Sequence, residues 1–124
     1  MTLSKALKEY LKYEKLCNNA DEKEQELMEK YMKELSENEY NGQYSVESAE
    51  NVFRAFTNIE KHKKEVEEYQ TKLAEAESEI YRYLLPLKGK RIFYVHEYKD
   101  DRNPYQHKSK DYIFWLENNK VIHN

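Results

Sequence analysis

Residues 46–85 read VESAENVFRAFTNIEKHKKEVEEYQTKLAEAESEIYRYLL, and their spacing decides the fold. Val52, Ile59, Val66, Leu73 and Ile80 recur every seventh position, with Ala55, His62, Tyr69, Ala76 and Tyr83 three residues after each. Alternating three- and four-residue steps mark a helix that buries one narrow seam against another helix. At ~1.5 Å rise per residue, about 40 residues make a helix of roughly 60 Å.

The partner lies upstream. From Leu3 the same phase runs through Leu7, Tyr10, Glu14, Cys17, Asp21, Glu24, Met28, Tyr31 and Leu35, polar in its middle. Thr2 or Ser4 caps its start. Asn18-Asn19-Ala20 is poor helix-forming sequence and Asp21 is a good N-cap, so residues 3–38 form either one helix with a polar middle or two broken near 18–20. NEYNGQYS, residues 38–45, is the loop: Gly42 admits positive φ, and Ser45 with Ser48 starts the next helix. A loop this short makes the helices antiparallel. Folding the chain about residues 41–42 sets Leu35 near Ala49, Tyr31 near Val52 and Tyr10 near Leu73. It also sets Asp21 and Glu24 opposite His62 and Lys63, a polar pair that pins the register.

Pro86 ends the second helix. Beyond it, Arg91 to Tyr98 (RIFYVHEY) alternates as a strand, Asp100 to Ser109 (DDRNPYQHKS) reads as a polar loop, and Asp111 to Leu116 (DYIFWL) as a second strand. Asn118-Asn119 makes a two-residue turn into a third strand, Lys120 to His123. The expectation is an α+β protein. A long antiparallel, coiled-coil-like helical hairpin fills residues 1–87, and a small three-stranded antiparallel β-meander, residues 88–124, is appended to its open end.

Of 124 residues, 36% are charged, and 12 Tyr, 4 Phe and 1 Trp supply the bulk for a core. The net charge of -3 is uneven: residues 1–87 hold 13 Lys/Arg against 19 Asp/Glu, residues 88–124 hold 8 against 5. Two glycines far apart, Gly42 and Gly89, leave no phosphate loop, dinucleotide fingerprint or nucleophile elbow. No cofactor, metal or catalytic residue is expected. Cys17 is alone, so no intrachain disulfide forms. No apolar run approaches the ~20 residues of a membrane span, so a cytoplasmic protein is expected.

Three functions fit the residue pattern. In the first, a small cytosolic module binds a protein and acts by covering its surface. Phe93, Tyr94, Tyr98, Tyr105 and Trp115 are its contact anchors, rimmed by Arg102, Lys108 and Lys110. The Lys, Glu, Asn and Tyr richness is that of low-GC coding sequences, where small acidic proteins include phage or mobile-element inhibitors of host defence machinery. In the second, the same aromatic and basic tip binds nucleic acid, with the helices as a dimerisation stalk. The third, a metal-dependent hydrolase on His96, Asp100, His107 and Asp111, is weakest: alternation separates His96 from Glu97, and the spacing matches no nuclease motif. Leu11, Leu16, Leu27, Met32 and Phe53 lie off the seam and leave a homodimer open.

Overall fold

In a computed structural model, the chain orders as α1 (Leu3–Glu37), α2 (Val46–Leu84), a 3-10 turn (Leu85–Leu87), β1 (Ile92–Asp100), β2 (Asn103–Glu117) and β3 (Lys120–His123). The structure describes every residue except 101; of residues 99, 100, 103, 104 and 106 it describes the backbone alone. The fold is α+β: a hairpin of two long helices, then a three-stranded antiparallel sheet of order β1-β2-β3.

α1 is a single uninterrupted helix, so the weak Asn18–Ala20 stretch is carried through as helix. Helix propensity there is a bias of a few tenths of a kcal/mol per residue, which packing on either side overrides. Thr2 Oγ1 accepts the Lys5 N–H at 3.2 Å and caps the start. The connection to α2 is a miniature hairpin. Tyr40 and Gln43 exchange backbone hydrogen bonds across Asn41 (φ 51°) and Gly42 (φ 73°). Ser45 Oγ then accepts the Ser48 N–H at 3.1 Å and opens α2. A Cβ at Gly42 would meet nothing within 4 Å, so alanine there is opposed only by its left-handed backbone. Gly42→Ala is expected to cost ~1 kcal/mol, read as a lower urea midpoint at unchanged slope.

The chain forms two compact units. The first comprises residues 13–71. Ala20, Ala55, Ile59 and His62 are buried in it. Tyr31 meets Phe56 at 5.9 Å between ring centroids, and Tyr13 meets Tyr69 at 6.1 Å. Lys23 Nζ and Glu65 Oε2 are 4.0 Å apart. The pairs run antiparallel; Tyr13–Tyr69 keeps the register that folding about residues 41–42 implies, while Tyr31 meets Phe56, one helical turn beyond the expected Val52.

The second unit joins residues 1–12 to 72–124. Its core is Ala6, Leu7, Tyr10, Ala76, Ile80 and Leu84 from the helices with Phe114 and Val121 from the sheet. In it the α2 seam departs from the strict seven-residue reading: Tyr83 is exposed and Leu84 is buried. A straight helix drifts ~20° per heptad, and over four heptads that nearly equals the ~100° between neighbouring residues. Buried positions 76, 80 and 84 are accordingly four apart, where 59 and 62 are three apart.

Leu84 is the last helical residue, and Pro86 lies in the 3-10 turn that follows. Lys88 (φ 51°) and Gly89 (φ 85°) turn the chain into β1. At the other end of the sheet, Asn118 and Asn119 have φ of 52° and 61°, the paired positive values of a two-residue hairpin.

The polar loop expected over residues 100–109 is a correction. β2 starts at Asn103 and pairs with β1 within the expected loop, Glu97 with Ser109, Tyr98 with Lys108 and Lys99 with His107. A two-stranded ribbon hydrated on both sides needs no apolar alternation, so DDRNPYQHKS carries no strand pattern to read. Pro104 sits in a register irregularity, since Lys99 faces His107 while Asp100 faces Asn103. There its missing N–H leaves no ladder bond unmade. Asp101, read as part of this loop, lies outside the described residues.

Candidate functional site

β3 pairs only with Phe114–Glu117 of β2. Ile113 also exchanges backbone hydrogen bonds with Asn124, and from Tyr112 back to Asn103 β2 is a ribbon with β1, which carries most of the expected contact residues. Side chains alternate across it. The face that docks on the helices has Ile92, Tyr94 and Phe114 at its base, then Tyr112, His96 and Lys110, then Tyr98 and Lys108 farther out. Its rings form a ladder: Tyr94 to His96 at 6.0 Å, His96 to Tyr98 at 5.9 Å and nearly parallel, His96 to Tyr112 at 6.4 Å. Lys110 Nζ lies 5.2 Å over the Tyr112 ring. The Tyr94 hydroxyl and His96 Nδ1 are 3.4 Å apart, and partial burial pushes the Tyr94 phenol up from its ordinary value.

The opposite face carries Phe93, Val95, Ile113, Trp115 and Ile122. Arg91 stacks on Trp115, its guanidinium carbon 4.6 Å from the ring centre, and the indole Nε1–H donates to Glu117 at 3.4 Å.

The eight expected contact residues therefore do not form one surface. Phe93 (64% exposed) and the half-buried Trp115 share the outer face; half-buried Tyr94 and exposed Tyr98, Lys108 and Lys110 share the inner one. Tyr105, 93% exposed, and Arg102 lie at the ribbon's turn end. Val95, Ile113 and Ile122 join Phe93 and Trp115 on the outer face, and the sequence reading did not single them out. Their signal was available: in IFYV both alternating phases are apolar, so neither face of β1 is purely polar.

The polar seam group separates. Asp21, Glu24 and Lys63 line one open depression with Gln25, Met28 and Glu29; Asp21 and Lys63 are exposed and Glu24 half-buried. His62 is 4% exposed, and its Nε2 pairs with the Ala20 backbone carbonyl at 3.1 Å rather than with a carboxylate. Its Nδ1 has no hydrogen-bond partner among the described residues. The seam position read as Asp21 is filled by Ala20, whose small side chain lets the imidazole reach α1's backbone.

Cys17 is half-buried in its unit, and desolvation pushes its thiol up, away from the thiolate a nucleophile requires. Among the described residues no three of His, Cys, Asp and Glu are placed to hold a metal ion. His96 lies on the inner ribbon face, and His107, Glu97 and Asp111 on the outer by alternation. The Asp100 side chain lies outside what is described.

A second exposed apolar surface lies on α2, where Val46, Ala49 and Phe53 form a shelf beside Glu50, Arg54 and Thr57. Of the off-seam residues, Met32 and Phe53 are exposed, and Leu11, Leu16 and Leu27 are half-buried. No helix among the described residues is long and apolar enough to cross a membrane. Comparison of the chain with protein-family models, with curated proteins and with solved structures gives no match.

Proposed function

We propose that this chain is a protein-binding module that acts by occupying a partner's surface, with the β1–β2 ribbon as its contact element. The observation that carries the reading is where the large rings lie. Tyr98 and Tyr105 are exposed on a ribbon that extends past β3, with Arg102, Lys108 and Lys110 around them. Tyrosine with arginine at a rim is the composition of interface hot spots, because each ring brings large rigid area and a polar end. The mode of action is steric or competitive, with no catalytic step. The setting we propose is cytosolic, as an inhibitor of host machinery encoded by a phage or mobile element; its support is the composition, with a lone cysteine and Lys, Glu and Asn richness.

The test is affinity capture of the partner by the full chain, followed by titration of variants. Tyr98→Ala and Tyr105→Ala are each expected to weaken binding about 30-fold or more, the ~2 kcal/mol of a hot spot, at unchanged stability. Wild-type affinity in both variants removes the ribbon as the interface.

Nucleic-acid binding is the second reading, favoured by the Lys110 ammonium over Tyr112 and by Lys108 facing Tyr98. It requires affinity for single-stranded DNA or RNA that falls steeply with salt. Binding that is absent at low salt excludes it.

A further inference from the structure

We propose that the outer face of the sheet, formed by Phe93, Val95, Ile113, Trp115 and Ile122, is covered by the same face of a second copy of this chain. The inference goes beyond the partner reading above, since Tyr98 and Tyr105 take no part in it.

An antiparallel sheet docked on helices by one face ordinarily leaves the other polar. Here the docked face is closed by buried Phe114 and Val121, and the opposite face is apolar as well. Its five apolar residues are contiguous: Phe93 stands opposite Ile113 in the ladder and Trp115 opposite Ile122. None of the five belongs to the helix-covered core or packs against it, and Phe93 and Val95 are exposed.

The charges around the strip select the occupant. At one end stand Arg91, stacked on Trp115, and Lys120, which faces Glu117 in the ladder. At the other stand Glu97 and Asp111, the latter opposite Val95. One end is thus net cationic, and the two described acidic residues next to the apolar strip at the other end, Glu97 and Asp111, are anionic, so the borders of the strip are complementary to each other. Two sheets can meet face to face through a two-fold axis lying between them in either of two directions. An axis along the strands sets like ends together. An axis across the strands reverses one copy and sets Arg91 and Lys120 against the partner copy's anionic end. Attraction in the second arrangement and repulsion in the first choose the axis. Five apolar residues per copy form a small interface, so the association is weak and concentration-dependent.

Sedimentation of the full chain from about 1 µM to about 0.5 mM tests this by mass action. The mass is expected to rise from monomer towards dimer, with a blue shift of Trp115 fluorescence as the indole is covered. Phe93→Glu and Ile122→Glu are expected to stay monomeric throughout, with unchanged circular dichroism; Phe93 is exposed enough for its variant to fold. Arg91→Glu and Glu97→Arg should each weaken association about tenfold, and the double variant should recover it, because the two ends are again opposite in sign. Tyr105→Ala should associate as the wild type does. A chain that stays monomeric overturns the proposal. So does a dimer indifferent to Phe93→Glu and Ile122→Glu, which places association on the helices or elsewhere. A double charge variant that fails to recover overturns the two-fold arrangement.

Discussion

Phe114→Ala is expected to lower stability by ~3–5 kcal/mol, the range for emptying a buried aromatic site. Phe114 is fully buried on the central strand, its ring 5.8 Å from Tyr10, 6.4 Å from Tyr112 and 5.4 Å from His123. The loss has two parts. One is the transfer free energy of a large ring. The other is the cavity left behind, which cannot close because its walls belong to two helices and three strands held by their own backbone bonds. A domain of this size has about 5–15 kcal/mol in total, so the variant sits near the edge of folding. Urea or thermal denaturation reads the effect. Phe93→Ala is the matched control on the same sheet, 64% exposed and facing away from the helices. In dilute solution it should fall within about 0.5 kcal/mol of wild type. Equal losses in the two variants would mean that the sheet does not dock by its Phe114 face.

His62→Asp is the second large effect, a loss of ~3–5 kcal/mol. The imidazole Nε2–H donates to the Ala20 carbonyl in a site that is almost closed to water. A carboxylate there places an acceptor against an acceptor and buries a charge, with no cation among the seam residues to answer it. Lys63, the sequence neighbour, is exposed. His62→Leu is the informative contrast, expected within about 1 kcal/mol of wild type. It removes the hydrogen bond but also removes Nδ1, which has no partner, and it fills the same volume with apolar atoms. A polar residue in a helix seam is retained for register at some cost in stability, so His62→Leu should keep its stability while hydrogen exchange at α1 residues around Ala20 rises. If Asp and Leu behave alike, the Ala20 contact is not what holds His62.

The placement of the expected contact residues was less legible than the fold for a local reason. Phe93 and Tyr94 are adjacent, and a list of aromatics treats them alike; the ladder sends one to each face. Trp115, expected as a contact anchor, is half-buried, with Arg91 over its ring and Glu117 accepting from its indole N–H. Three aliphatic partners of these rings, Val95, Ile113 and Ile122, drew no notice because no single one is unusual in a strand.

Readable from the residues alone were the helical seams, the loop at Gly42 between them, the stop at Pro86 and the Asn118-Asn119 hairpin; that residues 3–37 run as one helix emerged only with packing. Each of the readable features rests on interactions within a few residues: seam periodicity, positive φ, a missing N–H. The sequence could not determine how far β2 extends, because strand pairing between residues 97 and 109 is a backbone matter and leaves no side-chain pattern. Nor could it decide between Ala20 and Asp21 as the residue that faces His62, since helix drift of a fraction of a turn is settled by packing. Which face of the sheet is closed and which is left apolar and open was likewise decided only when helices and strands met, because burial is a property of the assembled chain.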